Sequence, residues 1–433
     1  MLITYLALGI FALAFALIVL ELYDKSLVAL SGALLMIIFG ILTPEEAIFA
    51  IEFETILLLM GMMLLVNIAA KSGIFEWMNV KIAAITKGNP MAIFLFFSLV
   101  TAFFSAFLDN VTTVILIVPL MIELVKGMGK DPKPYIFATI IFSNIGGGLT
   151  LVGDPPNIII GGATGFSFLD FILNLWVPIL GSTILALAVF TLVFKKKFKS
   201  IRDDLVELTI ASIIIRSIKH KFAKVVHNRA FVMKVLAVLL LTTLGFLTQR
   251  HLGMPAYVIA MISAVLLAVM TTKQVSIEKA FESVEWTTLF FFAGLFIMVA
   301  GVEKTGLLEQ LSHFIAGSTS NLFYLSLIVL WVSGLVSMVL DNIPFVTVMV
   351  PVIFGIQAQM AGIDTSILWW SLSLGACLGG NGTLIGASAN VVSVDLAKKQ
   401  GVHISFLEYM RFALPLTLGI LVLCSGYLFI KLG

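Results

Sequence analysis

Charge is scarce in this chain. Only 12% of its 433 residues are Asp, Glu, Lys or Arg, 60% are hydrophobic, and mean hydropathy is +1.13. A soluble domain carries about 25% charged residues to cover its surface. A chain of this length would ordinarily make roughly two or three soluble domains, but too little polar surface exists here to face water. The composition predicts an all-α polytopic membrane protein. Cysteine is nearly absent as well: Cys377 and Cys424 lie far apart in apolar runs, which excludes a disulfide framework and a thiolate metal cluster. No Lys or Arg precedes Lys25, so the N-terminus lacks the basic start of a cleaved signal peptide. The net charge of +2 gives no footing for nucleic acid or an acidic partner.

A membrane span needs about 20 apolar residues. Qualifying stretches run near 3–20, 26–42, 54–71, 169–194, 231–249, 255–272, 286–303 and 409–431. Two longer apolar regions, 91–163 and 322–391, are interrupted by Asn, Asp, Gly and Pro, and each reads as a helical hairpin followed by one broken helix. This gives about ten transmembrane helices, with five net crossings on each side of a central loop. The basic residues test the count. If the loop after 194 is cytoplasmic, segments 21–25, 71–90, 126–134, 195–234, 273–285 and 391–411 hold 23 of the 26 Lys and Arg. That bias places these segments on the cytoplasmic side of a cell (plasma) membrane and both termini outside. The central loop reads as a solvated basic linker, with a surface-lying amphipathic helix over Ile213 to Val226 as the alternative.

The chain also repeats itself at an offset of about 232 residues. Ser105 to Asn110 matches Ser337 to Asn342, Thr150 to Gly153 matches Thr383 to Gly386, and Asn157 matches Asn390. The chain thus divides into a first repeat over 1–194, a cytoplasmic linker over 195–230 and a second repeat over 231–433. Five crossings per copy make the second copy enter the membrane upside down. Inverted repeats with discontinuous helices are the mark of secondary transporters, with the site where the breaks meet.

Two kinds of break carry the chemistry. The first is Asp109-Asn110-Val111-Thr112-Thr113, matched by Asp341-Asn342-Ile343-Pro344. A carboxylate inside an apolar stretch is costly and usually functional; the alternative is an ordinary outer turn between two full crossings. The second runs from Ser143 and Asn144 through a glycine triplet and Thr150 to Gly153-Asp154-Pro155-Pro156-Asn157. Its match runs from Gly379-Gly380-Asn381-Gly382-Thr383 to Asn390. Adjacent glycines and paired prolines open a helix, and backbone so opened must line a protein cavity because lipid offers no partners. A glycine packing seam is the alternative. On this reading Asn110, Thr113, Asn144, Thr150, Asn157, Asn342, Asn381, Thr383 and Asn390 bind solute, while Asp109, Asp154 and Asp341 carry the coupling ion, H+ or Na+. No Lys or Arg lies in any break, which argues against a multivalent carboxylate. Cys377 stands where the first copy has Asn144; one thiol is no chelating site, so it reads as packing.

These breaks resemble the ion transporter superfamily, in its branch of arsenite permeases (ArsB), NhaD antiporters and the melanosomal P protein. Ser105 to Thr113, Asn144 to Asn157, Asp341 to Pro351 and Leu378 to Asn390 carry the likeness, which spans about 50 to 430. Gly379 to Asn390 is most like the P protein type. The resemblance implies a homodimer whose protomers each pair a scaffold domain with a transport domain moving as an elevator. Related dicarboxylate carriers have Ser-Asn-Thr where this chain has Asp109-Asn110-Val111 and Asp341-Asn342-Ile343, which counts against dicarboxylate transport and sodium coupling.

The expected function is therefore secondary transport of a small inorganic solute, foremost arsenite or antimonite efflux against protons. Neutral arsenite trihydroxide suits a site of Asn, Thr and backbone amides. Sodium/proton exchange and citrate or dicarboxylate transport are the alternatives. Membrane lipid is the expected surround; a separate ATPase subunit is a conceivable partner. No enzyme activity is expected. An intramembrane aspartyl protease would need two carboxylates sharing a proton about 3 Å apart, and no paired protease motif accompanies Asp109 and Asp341.

Overall fold

Backbone in lipid must satisfy its own hydrogen bonds, and the apolar runs do so as helices. The computed structural model describes residues 2–20, 22–86, 89–198, 229–360 and 362–432, and their regular structure is all helical. The first repeat comprises α1 (Leu2–Val19), α2 (Lys25–Ile38), α3 (Pro44–Phe49), α4 (Phe53–Ala70) and α5 (Ile74–Thr86). It continues with α6 (Pro90–Ser105), α7 (Asn110–Gly127), α8 (Lys133–Gly147), α9 (Pro155–Thr164) and α10 (Phe168–Val193). The second repeat opens with α11 (Arg229–Leu247), the single turn α12 (Gln249–Leu252), α13 (Ala256–Met270), α14 (Ile277–Glu282) and α15 (Trp286–Glu303). After these come α16 (Leu307–Ser318), α17 (Leu322–Ser337), α18 (Asn342–Gln359), α19 (Ile367–Gly379), α20 (Ser388–Lys399) and α21 (Phe406–Leu432). Among the described residues, every helix of one half apart from α12 has its counterpart in the other. Eight of the described helices are long and apolar enough to cross a membrane. The region 213–226, for which a surface helix is the alternative to a solvated linker, lies outside the described residues, as does most of the linker.

Local signals start these helices where the sequence supplies caps. Asp24, Asn89, Asp109, Asn321 and Asp341 each accept a backbone N–H of the following turn. Thr43 with Glu46, and Ser167 with Asp170, form reciprocal capping boxes. Short helices, α5 and α16, follow α4 and α15.

The inversion is visible in the packing of α10 against its counterpart α21. Near the start of α10, Asn174 accepts from Tyr427 near the end of α21, at 2.6 Å. Near the end of α10, the rings of Phe190 and Phe194 lie 4.6 and 5.0 Å from that of Phe412, near the start of α21. Equivalent helices therefore run antiparallel. The broken helices agree: Pro155 and Ser388, at the starts of α9 and α20, line one cavity. From there α9 runs toward Arg250 and α20 toward Lys126.

The hairpins α6–α7 and α17–α18 bring their tips to that same cavity from the two halves. Thr150 donates to the Ala106 carbonyl at one tip, and Thr383 donates to the Met338 carbonyl at the other. Each tip thus packs against the break of its own half.

Candidate functional site

A cavity of about 530 Å³ forms where both tips and both breaks converge. Among the sequence-predicted residues, Asp109, Asn110, Asp154, Asp341 and Asn342 line it. Asp109 caps α7: its carboxylate accepts from the N–H groups of Val111 and Thr112, at 3.0 and 2.9 Å, and from the Thr112 hydroxyl at 2.7 Å. Asp341 caps α18 and also accepts from Ser388 at 3.1 Å. Asp154 stands at the N-cap of α9 but makes no capping bond, and Pro155 follows it at once. Its side chain is 2% exposed and Oδ2 has no hydrogen-bond partner among the described residues. Buried polar oxygens are mostly paired, which sets Asp154 Oδ2 apart from the other carboxylate oxygens of this cavity. Asp109 and Asp341 have separate partners, an arrangement unlike a shared-proton protease dyad.

Behind the cavity wall lies a buried amide network that joins the two repeats. Ser105 donates to Asn110 Oδ1, and Asn110 Nδ2 donates to Asn144 Oδ1 at 3.3 Å. Asn144 Nδ2 then donates to Oδ1 of Asn381 and of Asn390, at 2.9 and 3.0 Å. Asn381 Nδ2 and Thr113 Oγ1 are buried without a partner among the described residues.

Several residues expected to bind solute directly are engaged with the protein's own backbone and side chains in this structure. Asn157 Nδ2 donates to the carbonyls of Gly148 and Thr150 at 3.3 and 2.9 Å, while its Oδ1 accepts from Ser373 at 2.6 Å. Asn390 repeats the pattern with Gly380 and Thr383, at 2.7 and 2.9 Å. These amides close the backbone that the breaks open, and Thr150 and Thr383 tie each break to its hairpin tip. Thr113, Asn144, Thr150, Asn157, Asn381, Thr383 and Asn390 thus lie buried behind the residues that line the cavity.

The cation inventory also changes. Lys25, the first residue of α2, reaches the cavity from 316 residues away and donates to Asp341 Oδ2 at 2.8 Å. Asp24 and Glu285 enter beside it, so five acids and one lysine face this space. The uncapped start of α20 faces it too, and free N–H groups at a helix start favour anions. Nothing in the sequence around Lys25 marks it as a site residue; only its capping by Asp24 was readable there. Cys377 is buried, with Sγ 3.6 Å from Asn157 Oδ1. No cluster suited to a metal ion occurs among the described residues.

Comparisons with known proteins agree with this architecture. The family described as a citrate transporter, CitMHS, matches residues 15–375. The 46 kDa membrane protein of Mycobacterium leprae is 36% identical, with 98% of each chain aligned. The human P protein is 30% identical, over 95% of this chain and 58% of that protein. Among solved structures, the YdaH transporter of Alcanivorax borkumensis matches with a TM-score of 0.55 at 16% identity. That match covers 87% of this chain and 83% of the other, and it is a likeness of fold.

Proposed function

As a member of the citrate transporter family, and so of the ion transporter superfamily, the chain is a membrane transporter, and we propose that it is a secondary active one exchanging a small polar solute for protons. The observation that carries this reading is Asp154: a buried carboxylate oxygen with no partner, on the wall of a cavity built by both repeats. A proton or small cation at Asp154 relieves that cost, and a solute hydroxyl can do the same. The carboxylates of Asp109 and Asp341 beside it supply further sites for the coupling ion. Five acids against one lysine favour an uncharged or cationic solute over a free polyanion. Arsenite trihydroxide, with hydroxyls to donate and no charge to bury, is the candidate that fits best. The homodimer and elevator motion implied by the resemblance belong to this reading.

Two observations favour a second reading, transport of citrate or another carboxylate. Lys25 places a cation 2.8 Å from Asp341, and the uncapped start of α20 offers backbone N–H groups to an anion.

Proteoliposome flux separates the two. Arsenite, citrate, sodium and phosphate are compared under imposed pH gradients, in wild type and Asp154→Asn. The first reading expects arsenite movement that follows the pH gradient and is lost in the variant. Gradient-driven citrate flux without arsenite flux establishes the second. No movement of any solute under any gradient contradicts both.

A further inference from the structure

Away from the central cavity, a groove of about 500 Å³ lies where α8 and α21 begin and α10 ends. Its walls are apolar, with Phe194 and Phe412 prominent, and its rim is basic: Lys133, Lys197 and Arg411. Lys133 pairs with Glu408 at 2.8 Å, and Lys197 with Asp131 at 2.6 Å. Arg411 is exposed and makes no ion pair among the described residues. The neighbouring surface of α10 is bare hydrocarbon, with Leu192 75% and Val193 59% exposed. In a membrane protein such a surface faces lipid tails.

We propose that this groove is a binding site for an anionic phospholipid. The headgroup phosphate sits at Arg411 beside the two lysines, and an acyl chain lies along the aromatic wall. A guanidinium is the side chain best shaped to take two phosphate oxygens at once, and basic pockets between transmembrane helices suit anionic headgroups. An excess of cytoplasmic cations explains basic residues at helix ends. It does not explain why three of them rim one apolar groove. A free phosphate matches the rim and leaves the aromatic wall uncovered, whereas a phospholipid covers both.

The test is a binding measurement and does not depend on the transport reading. Purified wild type, Arg411→Gln, Arg411→Lys and Lys304→Gln are titrated in neutral detergent with dioleoylphosphatidylglycerol or dioleoylphosphatidylcholine. Native mass spectrometry reads the lipid retained. Lys304 pairs with Glu46 elsewhere and serves as the control for loss of one cation. Wild type is expected to retain the glycerol lipid over the choline lipid. Arg411→Gln is expected to lose about fivefold of that preference, the equivalent of about 1 kcal/mol. Arg411→Lys keeps most of it and Lys304→Gln keeps all. Equal retention of both lipids overturns the proposal, as does an Arg411→Gln variant indistinguishable from wild type. Inorganic phosphate displacing the lipid at equal concentration does the same. So does a variant that alters the dimer fraction while lipid retention stays unchanged.

Discussion

At the scale of single residues, the matching asparagines Asn157 and Asn390 bind the backbone of the breaks, whereas the aspartates line the cavity. Asn157 holds three backbone carbonyls and the Ser373 hydroxyl, all buried. Leaving a buried polar group unpaired costs about 1–3 kcal/mol. Asn157→Ala and Asn390→Ala are therefore expected to lower the thermal midpoint of the purified protein by several degrees. An unchanged midpoint together with a raised half-saturation for solute would return these residues to direct contact. Asp154→Asn and Asp341→Asn are expected to abolish gradient-driven flux in protein that still purifies as a single folded species; wild-type flux in both would remove them from the coupling mechanism. The Asn and Asp positions were legible because they break apolar runs. The backbone partners of Asn157 and Asn390 were not, because they depend on where the carbonyls of each break point. Lys25 escaped notice for a related reason: its partner lies 316 residues away, and no local pattern encodes that approach.

Elements depend on close backbone approach at the breaks. A Cβ at Gly146 would collide with the carbonyl of Ala102 on α6, and one at the equivalent Gly379 with the carbonyl of Gly334 on α17. Each broken helix thus lies against its hairpin with no room for a side chain. Gly146→Ala and Gly379→Ala are expected to separate hairpin from break and to lower the thermal midpoint strongly. Gly426→Ala, in α21 with nothing within 4 Å of the added carbon, should leave it unchanged or slightly raised. Equal small effects at all three positions would show that the contact is not required. The glycine-rich breaks were readable as opened helix from composition alone, since adjacent glycines disfavour helix. That the hairpin arms fill the opening was not, because pairing between elements leaves no periodicity in either one.

For the whole molecule, the offset of about 232 residues foretold two inverted copies, and the antiparallel contacts of α10 and α21 show them. The repeat was legible because its marks, Asp-Asn at the tips and Gly-Asn at the breaks, are rare in apolar sequence. The cavity's own character was not, since Asp24, Lys25 and Glu285 come from helices outside the repeated motifs. One shared site at the meeting of two inverted copies is the claim on which the functional reading stands. Its most direct test is the sidedness of equivalent positions. Single cysteines at Lys130, before the first broken helix, and at Asp364, before the second, are placed in a background lacking Cys377 and Cys424. Intact cells are then treated with an impermeant thiol reagent. Labelling at 364 alone is expected, with 130 reached only after the membrane is opened. Labelling at 130 alone would preserve the inversion and reverse the orientation drawn from the basic residues. Equal labelling of both on intact cells would mean parallel copies, and the account of a shared central site would be contradicted.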